Sequence, residues 1–186
     1  MKMSWIAWLA GAALAFSGLG RVAWAAEAKP DSDGLVRIEI DSAKLKGYPA
    51  ALVSLDEHRI TMVPATREEL QKLEIVADLW IEPRDPELGG LPEKFEGTTH
   101  KGQDTKVAVV TGVTFDELSR VPDGVSWKQG LARKEIRQGT VFLVQSSTGK
   151  LYKVRLDTVS RDKKETSRSV IVMAYRQIAP TRDAPR

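Results

Sequence analysis

The chain has 186 residues, a formal net charge of +3 and no cysteine. The lack of cysteine excludes disulfide bonds, thiol catalysis and thiolate metal sites. About 160 residues remain when the apolar N-terminal segment is set aside, which is enough for one domain with a single core.

Residues 1–25 have the order of a secretory signal peptide. Lys2 precedes an unbroken apolar run over residues 5–16, and the small residues Ala23 and Ala25 stand where a signal peptidase needs them. The alternative, an uncleaved membrane anchor, needs roughly 20 apolar residues, and this run is shorter. The pattern therefore predicts cleavage after Ala25 and a periplasmic or extracellular protein that meets the membrane only during export.

Charge is distributed unevenly along the predicted mature chain. Residues 26–132 hold 13 basic and 20 acidic residues, a net of −7, whereas residues 133–186 hold 13 and 5, a net of +8. Such asymmetry indicates either a face for an anionic partner or two parts that pack together and compensate each other.

The first half of the domain alternates predicted strands with turns. Residues 26–34 are polar and turn-rich, which predicts a flexible leader. Residues 35–40 alternate apolar and charged side chains with a period of two, as in a half-buried strand. A capping-box pattern predicts a short helix over residues 66–73. Further strands are predicted over residues 50–55, 59–63 and 74–82.

A change of composition marks the middle of the chain. Residues 83–102 are rich in proline, glycine and charge, which predicts a long loop. The segment 83–105 is one of two surfaces expected to bind a partner, and the basic C-terminal strands form the other. A short apolar strand is predicted over residues 106–113. Thr114 to Glu117 then predicts a single capped helical turn.

The last third predicts a β-meander followed by a disordered tail at residues 179–186. Its strands are rich in β-branched and aromatic residues and are separated by short polar turns. They are predicted over residues 140–146, 150–158 and 169–178. The sequence therefore predicts a mainly β fold over residues 35–178, a single antiparallel sandwich or barrel-like domain with one or two short helices.

The segment from Thr140 to Ile178 contains the hairpin sequence Gly149-Lys150-Leu151-Tyr152-Lys153. In this segment the chain resembles the closing hairpin of exported bacterial β-proteins of the HmuY-like haem-binding type. The resemblance covers about a fifth of the chain, which lacks the lipidation cysteine common in such proteins. It implies a β-rich extracytoplasmic binding fold, with haem as a candidate ligand.

Two histidines, His58 in a turn and His100 in the long loop, are the candidate haem or metal ligands. Two imidazoles on different loops can bind one haem iron, with Met62 or Met173 as substitutes. Histidines in polar loops are equally consistent with simple solvation. A carrier of haem is therefore one alternative function.

Basic residues cluster in the predicted meander, where Lys153 and Arg155 share one side of a strand and Lys163 and Lys164 lie in the turn that follows. Together they predict a cationic face for an anionic polymer, a lipid headgroup or an acidic protein. Lysines on an exposed strand face also keep sheets soluble and block edge pairing. Nucleic acid is not an expected partner outside the cytoplasm.

Trp80 and Trp127 are candidate sugar-stacking residues, although tryptophans in a small β-domain also cap the core. No Gly-x-Ser-x-Gly elbow or phosphate-binding glycine loop is present in the sequence. Acidic pairs such as Asp85 and Glu87 leave an exported carboxylate-dependent hydrolase as a second alternative. The leading hypothesis is a non-enzymatic binding or protein-interaction module that needs no cofactor.

Overall fold

The structure is a computed structural model and describes residues 25–45, 50–63, 77–82, 94–100, 102–161 and 168–179. The predicted signal peptide before Ala25, the predicted helix at residues 66–73 and the predicted tail beyond Ala179 lie outside these ranges. Within the part that is described, no helix is long and apolar enough to cross a membrane.

Strands make up most of the regular structure, and the short 3-10 helices lie at Ser42–Leu45 and Arg133–Glu135. In chain order the strands are β1 (Ala25–Glu27), β2 (Val36–Asp41), β3 (Ala50–Ser54), β4 (Arg59–Val63), β5 (Leu79–Glu82), β6 (Lys94–Gly97), β7 (Thr99–His100), β8 (Gln103–Asp104), β9 (Lys106–Val110), β10 (Val141–Gln145), β11 (Leu151–Arg161) and β12 (Ser169–Ile178).

Ten of these strands form two antiparallel sheets of five strands each. Sheet 1 has the order β1-β4-β3-β5-β6, and sheet 2 has the order β2-β12-β11-β10-β9. β7 and β8 form a separate two-stranded ribbon. The three strands predicted for the meander are present as β10, β11 and β12, and β11 runs further than predicted, to Arg161.

The main core lies between the two sheets. Because side chains alternate along a strand, Tyr152, Val154 and Leu156 of β11 all point inward and are buried. Phe95 of sheet 1 meets Phe142 of sheet 2 edge to face, with ring centroids 5.2 Å apart. Each large apolar side chain buried in this way contributes about 1.5–3 kcal/mol. The predicted mainly β, antiparallel fold is thus confirmed, in its sandwich form.

A second apolar cluster covers part of the outer face of sheet 2. Phe115 and Leu118, from the segment between β9 and β10, are buried against Val141 and Leu143 of β10. The predicted turn at Thr114 to Glu117 lies at the start of this segment. It is stabilised by the Glu117 carboxylate, which accepts hydrogen bonds from the backbone N–H of Thr114 at 3.0 Å and from its hydroxyl at 2.8 Å. This cover decides which side chains of the sheet remain accessible.

Residues 128–131 close one side of the sandwich. Their backbone bonds to both sheets: the Gly97 N–H donates to the Gln129 carbonyl at 2.6 Å, and the Lys128 N–H donates to the Val107 carbonyl at 2.8 Å. At Gly97 a Cβ atom would lie 2.0 Å from the Thr105 carbonyl oxygen. Only glycine therefore fits where the two sheets meet.

Two segments that were predicted to be irregular contain strands. The predicted leader begins in β1, which pairs with β4, and then forms a turn in which the Leu35 N–H donates to the Asp31 carboxylate at 2.8 Å. The predicted loop over residues 83–102 contains β6, where Phe95 is fully buried. The loop prediction is wrong there because β6 is stabilised by pairing with β5 and by its phenylalanine, which local composition does not reveal.

Candidate functional site

Four basic side chains converge on the outer face of sheet 2, and we call this group the cationic strip: Arg37, Lys153, Arg155 and Arg176. Strand register brings them together, because Arg37 of β2 and Arg155 of β11 both lie opposite Ala174 of β12, and Lys153 lies directly opposite Arg176. Residues that are directly opposite in antiparallel strands point to the same face. The strip therefore crosses three neighbouring strands.

Asp157 is an acidic partner of the strip and sits at an irregularity of β11. The register with β12 shifts between Leu156 and Thr158, which marks a β-bulge. The Asp157 carboxylate accepts a hydrogen bond from Arg155 Nε at 2.5 Å and lies 3.6 Å from Arg37 Nε. Asp116 is a second nearby acid, since its charge acts on Lys153. Four basic groups therefore face two carboxylates, and the strip keeps an excess of positive charge.

Lys153 does not have the exposed position that the sequence predicted. Its side chain is only 5 % exposed, and its ammonium donates to the Phe115 carbonyl at 2.7 Å and lies 4.6 Å from the centre of the Phe115 ring. Burial lowers the pKa of Lys153, and the nearby charge of Arg176 lowers it further. The prediction of an exposed Lys153 is wrong because the segment that carries Phe115 folds over this end of the sheet.

The two arginines nearest to Lys153 are held in different ways. The Arg155 guanidinium lies 5.0 Å from the centre of the Phe115 ring, and its side chain is 32 % exposed. Arg176 Nε is buried and has no hydrogen-bond partner among the described residues. A buried donor without a partner is unfavourable, and an anion that reached it would remove that cost. The sequence analysis missed Arg176 and Arg37, which join the strip only through strand pairing.

The rest of the predicted basic cluster is less informative. Lys163 and Lys164 lie outside the described residues. Part of the charge asymmetry is compensated internally, because Lys150 pairs with Asp56 at 2.9 Å and Arg168 pairs with the buried Asp41 at 2.7 Å. The basic C-terminal part and the acidic N-terminal part of the chain thus neutralise each other in several places, but the cationic strip keeps its excess charge.

Both tryptophans contact apolar clusters. Trp80 lies on the outer face of sheet 1, opposite the core as predicted, where it packs against Ala50 and Leu52 and donates to Glu82 at 2.7 Å. Trp127 packs against the cluster on the outer face of sheet 2. Both positions fit the core-capping interpretation, and sugar stacking stays a prediction.

Of the predicted haem ligands, His58 is described in full. It occupies the turn between β3 and β4 with a left-handed backbone (φ 53°), and its Nδ1 is 3.0 Å from the Tyr175 hydroxyl. The side chain of His100 lies outside the described part, as does that of Met62, and Met173 is buried in the core. Haem binding by these residues therefore stays a prediction.

A buried polar network adjoins His58 at this end of the sandwich. Asp78 is 2 % exposed and accepts a hydrogen bond from the Leu55 N–H at 2.7 Å. Burial raises the pKa of Asp78 to about 6, although the hydrogen bond from Leu55 acts to lower it. Burial also acts to raise the pKa of Asp56, but hydrogen bonds from Tyr152 and Lys150 outweigh it and hold that pKa below its usual value. The network ties the β3–β4 turn to β11.

Two adjacent acidic pairs, Asp56-Glu57 and Asp116-Glu117, are further candidates for carboxylate chemistry, but their glutamates are engaged in structural contacts. Glu57 pairs with Arg59 at 2.5 Å, and Glu117 caps the turn at Thr114. Asp85 and Glu87 lie outside the described ranges. Over those ranges, no group of three or more histidine, aspartate or glutamate side chains is placed to hold a metal ion.

The fold and the strip define the chain as an antiparallel β-sandwich with a cationic face. A comparison with models of known protein families found no match, and a comparison with curated proteins also found none.

Proposed function

We propose that this protein is an exported, non-enzymatic binding module that recognises an anionic polysaccharide through the cationic strip. The observation that carries the proposal is the convergence of Arg37, Arg155 and Arg176 on one sheet face, with Asp157 as the acid between two of them. The Nε of Arg176 supports it, because it has no acceptor among the described residues. Since this atom is buried, the Arg176 side chain would turn outward to meet a ligand oxygen, which would supply the missing acceptor.

The chemistry of the three arginines favours carboxylate or sulfate groups. A guanidinium presents several donors in a planar fork that matches two oxygens of such a group. Arg37 has a side chain that is 58 % exposed, and its contact with Asp157 is long at 3.6 Å, so it is free to turn toward a ligand. A row of such groups, on the part of the sheet surface that the Phe115 segment leaves uncovered, suits a chain-like ligand that presents several anions.

The first experiment compares two triple variants in binding to a heparin-derived octasaccharide. Arg37→Gln/Arg155→Gln/Arg176→Gln removes three charges from the strip, and we expect its affinity to fall at least about tenfold. Arg133→Gln/Lys134→Gln/Arg137→Gln removes three exposed charges elsewhere and should change affinity far less. Equal losses in both variants would show that only net charge matters and would contradict a specific site. Anionic lipid vesicles and polyglutamate, tested in parallel, separate a headgroup or an acidic protein from a polysaccharide.

Export is the second part of the proposal and has its own test. The full sequence is expressed in a bacterial host, and the product is recovered from the periplasm and the medium. Mass spectrometry is expected to find a mature N-terminus at Ala26, because the small residues Ala23 and Ala25 suit a signal peptidase. A product that retains Met1 and stays in the cytoplasm would contradict this part of the proposal.

A further inference from the structure

β2 is the outermost strand of sheet 2 and pairs with β12 alone among the described strands. An edge strand presents a row of backbone donors and acceptors that can pair with another chain. Proteins usually protect such edges with proline, a bulge, an inward-pointing charge or charged side chains along the edge. β2 carries the outward charges Arg37 and Glu39, but it contains no proline, its register with β12 is regular, and its inward side chains Val36, Ile38 and Ile40 are apolar.

The outward side chains of β2 are complementary to a second copy of the same strand. Arg37 and Glu39 are both exposed and flank Ile38. In an antiparallel pair centred on Ile38, Arg37 of each copy lies opposite Glu39 of the other. A shift by one residue pair in one direction places Arg37 opposite Arg37, and a shift in the other places Glu39 opposite Glu39, which is unfavourable. In the second case Arg37 also lies opposite Asp41, but that carboxylate is buried and already paired with Arg168. The charges thus favour one register of self-pairing over its neighbours.

From this complementarity we infer that β2 is a self-association edge, at which two copies of the chain pair antiparallel about Ile38. The contact is isologous, with a two-fold axis perpendicular to sheet 2. It joins the two sheets edge to edge and places their outer faces on the same side. Lys44 and Glu39 are both about half exposed, so their contact at 2.7 Å exchanges at little cost. Asp157 is 21 % exposed, but its contact with the exposed Arg37 is long at 3.6 Å, and Asp157 keeps Arg155 as a partner if Arg37 turns away.

The inference does not depend on the anionic ligand, although it would bring two cationic strips onto one continuous surface. A pair of strand edges buries less area than most stable complexes, so the association is expected to be weak. The protein expressed from its full sequence is therefore studied by sedimentation equilibrium up to about 1 mM, where an interaction with a dissociation constant in the millimolar range is populated.

Charge reversal provides the decisive test. Arg37→Glu and Glu39→Arg each place like charges opposite each other in both symmetry-related pairs, and we expect each to raise the dissociation constant of self-association at least about tenfold. An equimolar mixture of the two variants restores opposite charges in both pairs, so the mixture is expected to form heterodimers. Lys134→Glu, at an exposed site away from β2, should self-associate like the wild type.

Each outcome decides the inference. A wild type that stays monomeric throughout would overturn it, as would single variants that self-associate normally or a mixture that fails to associate. Unfolding midpoints verify that each variant is folded. Glu39→Arg keeps all four residues of the cationic strip and adds a positive charge on the same face, so it is expected to bind the octasaccharide at least as tightly as the wild type, whatever its self-association. This separates a failure of the inference from a failure of the proposed function.

Discussion

The contribution of Asp78 to the free energy of unfolding is expected to fall by about 2.5 kcal/mol as the pH rises from about 4 to about 7, because Asp78 ionises within this range. Its folded-state pKa is about 6, above the ordinary value of 3.8, so the folded state binds the proton more tightly than the unfolded chain. The stabilisation is complete below the unfolded pKa and is lost as the pH rises through the folded pKa.

The matched variant for this prediction is Asp78→Asn, which cannot ionise but keeps an oxygen that can accept the Leu55 N–H. Urea unfolding at several pH values is expected to show a clearly smaller decline in this variant than in the wild type. Asp41 and Asp56 have lowered pKa values, so the stability they provide is lost only at more acidic pH. Asp123→Asn, at an exposed turn, is the control. An undiminished decline in Asp78→Asn would contradict the account of this network.

Gly97→Ala is expected to destabilise the protein by at least about 3 kcal/mol, because the new Cβ would overlap backbone that cannot move freely. The nearest atom is the Thr105 carbonyl oxygen, at 2.0 Å. Relief requires β6 to move away from Thr105, which strains the bond from the Gly97 N–H to the Gln129 carbonyl and loosens the packing of Phe95.

Gly112→Ala provides the comparison for Gly97→Ala. Gly112 has a left-handed backbone (φ 77°) with nothing within 4 Å of a Cβ, so its substitution costs only the backbone term of about 1–2 kcal/mol. Both variants are measured by urea unfolding. If Gly97→Ala lost no more stability than Gly112→Ala, the close contact between β6 and the Thr105 backbone would be contradicted.

Local periodicity was sufficient to predict the strands of the meander. Alternation along β11 placed Tyr152, Val154 and Leu156 on one face, and the structure buries all three. The same reasoning did not find β6, because its single large apolar residue, Phe95, stands in a charged stretch. A strand of this kind depends on pairing with β5, which is distant information that local composition does not contain.

The candidate site was predictable only in part, for the same physical reason. Alternation placed Lys153 and Arg155 on one face, but the cover by Phe115 comes from a segment about 40 residues earlier. Arg37 and Arg176 are far apart in the sequence and are brought together by the pairing of β2 with β12. The sequence does contain one indication of the role of Asp78, because this carboxylate stands within an otherwise apolar run. Such a pattern is typical of a buried, hydrogen-bonded acid.

The most direct test of the cationic strip is an NMR titration of the isotope-labelled protein with the heparin-derived octasaccharide, with observation of the arginine Nε–H signals. We predict that the signals of Arg37, Arg155 and Arg176 shift in a saturable way, that of Arg176 most of all because its Nε has no acceptor among the described residues. Saturable shifts confined to other arginines, such as Arg133 and Arg137, would contradict the assignment of this face as the binding surface.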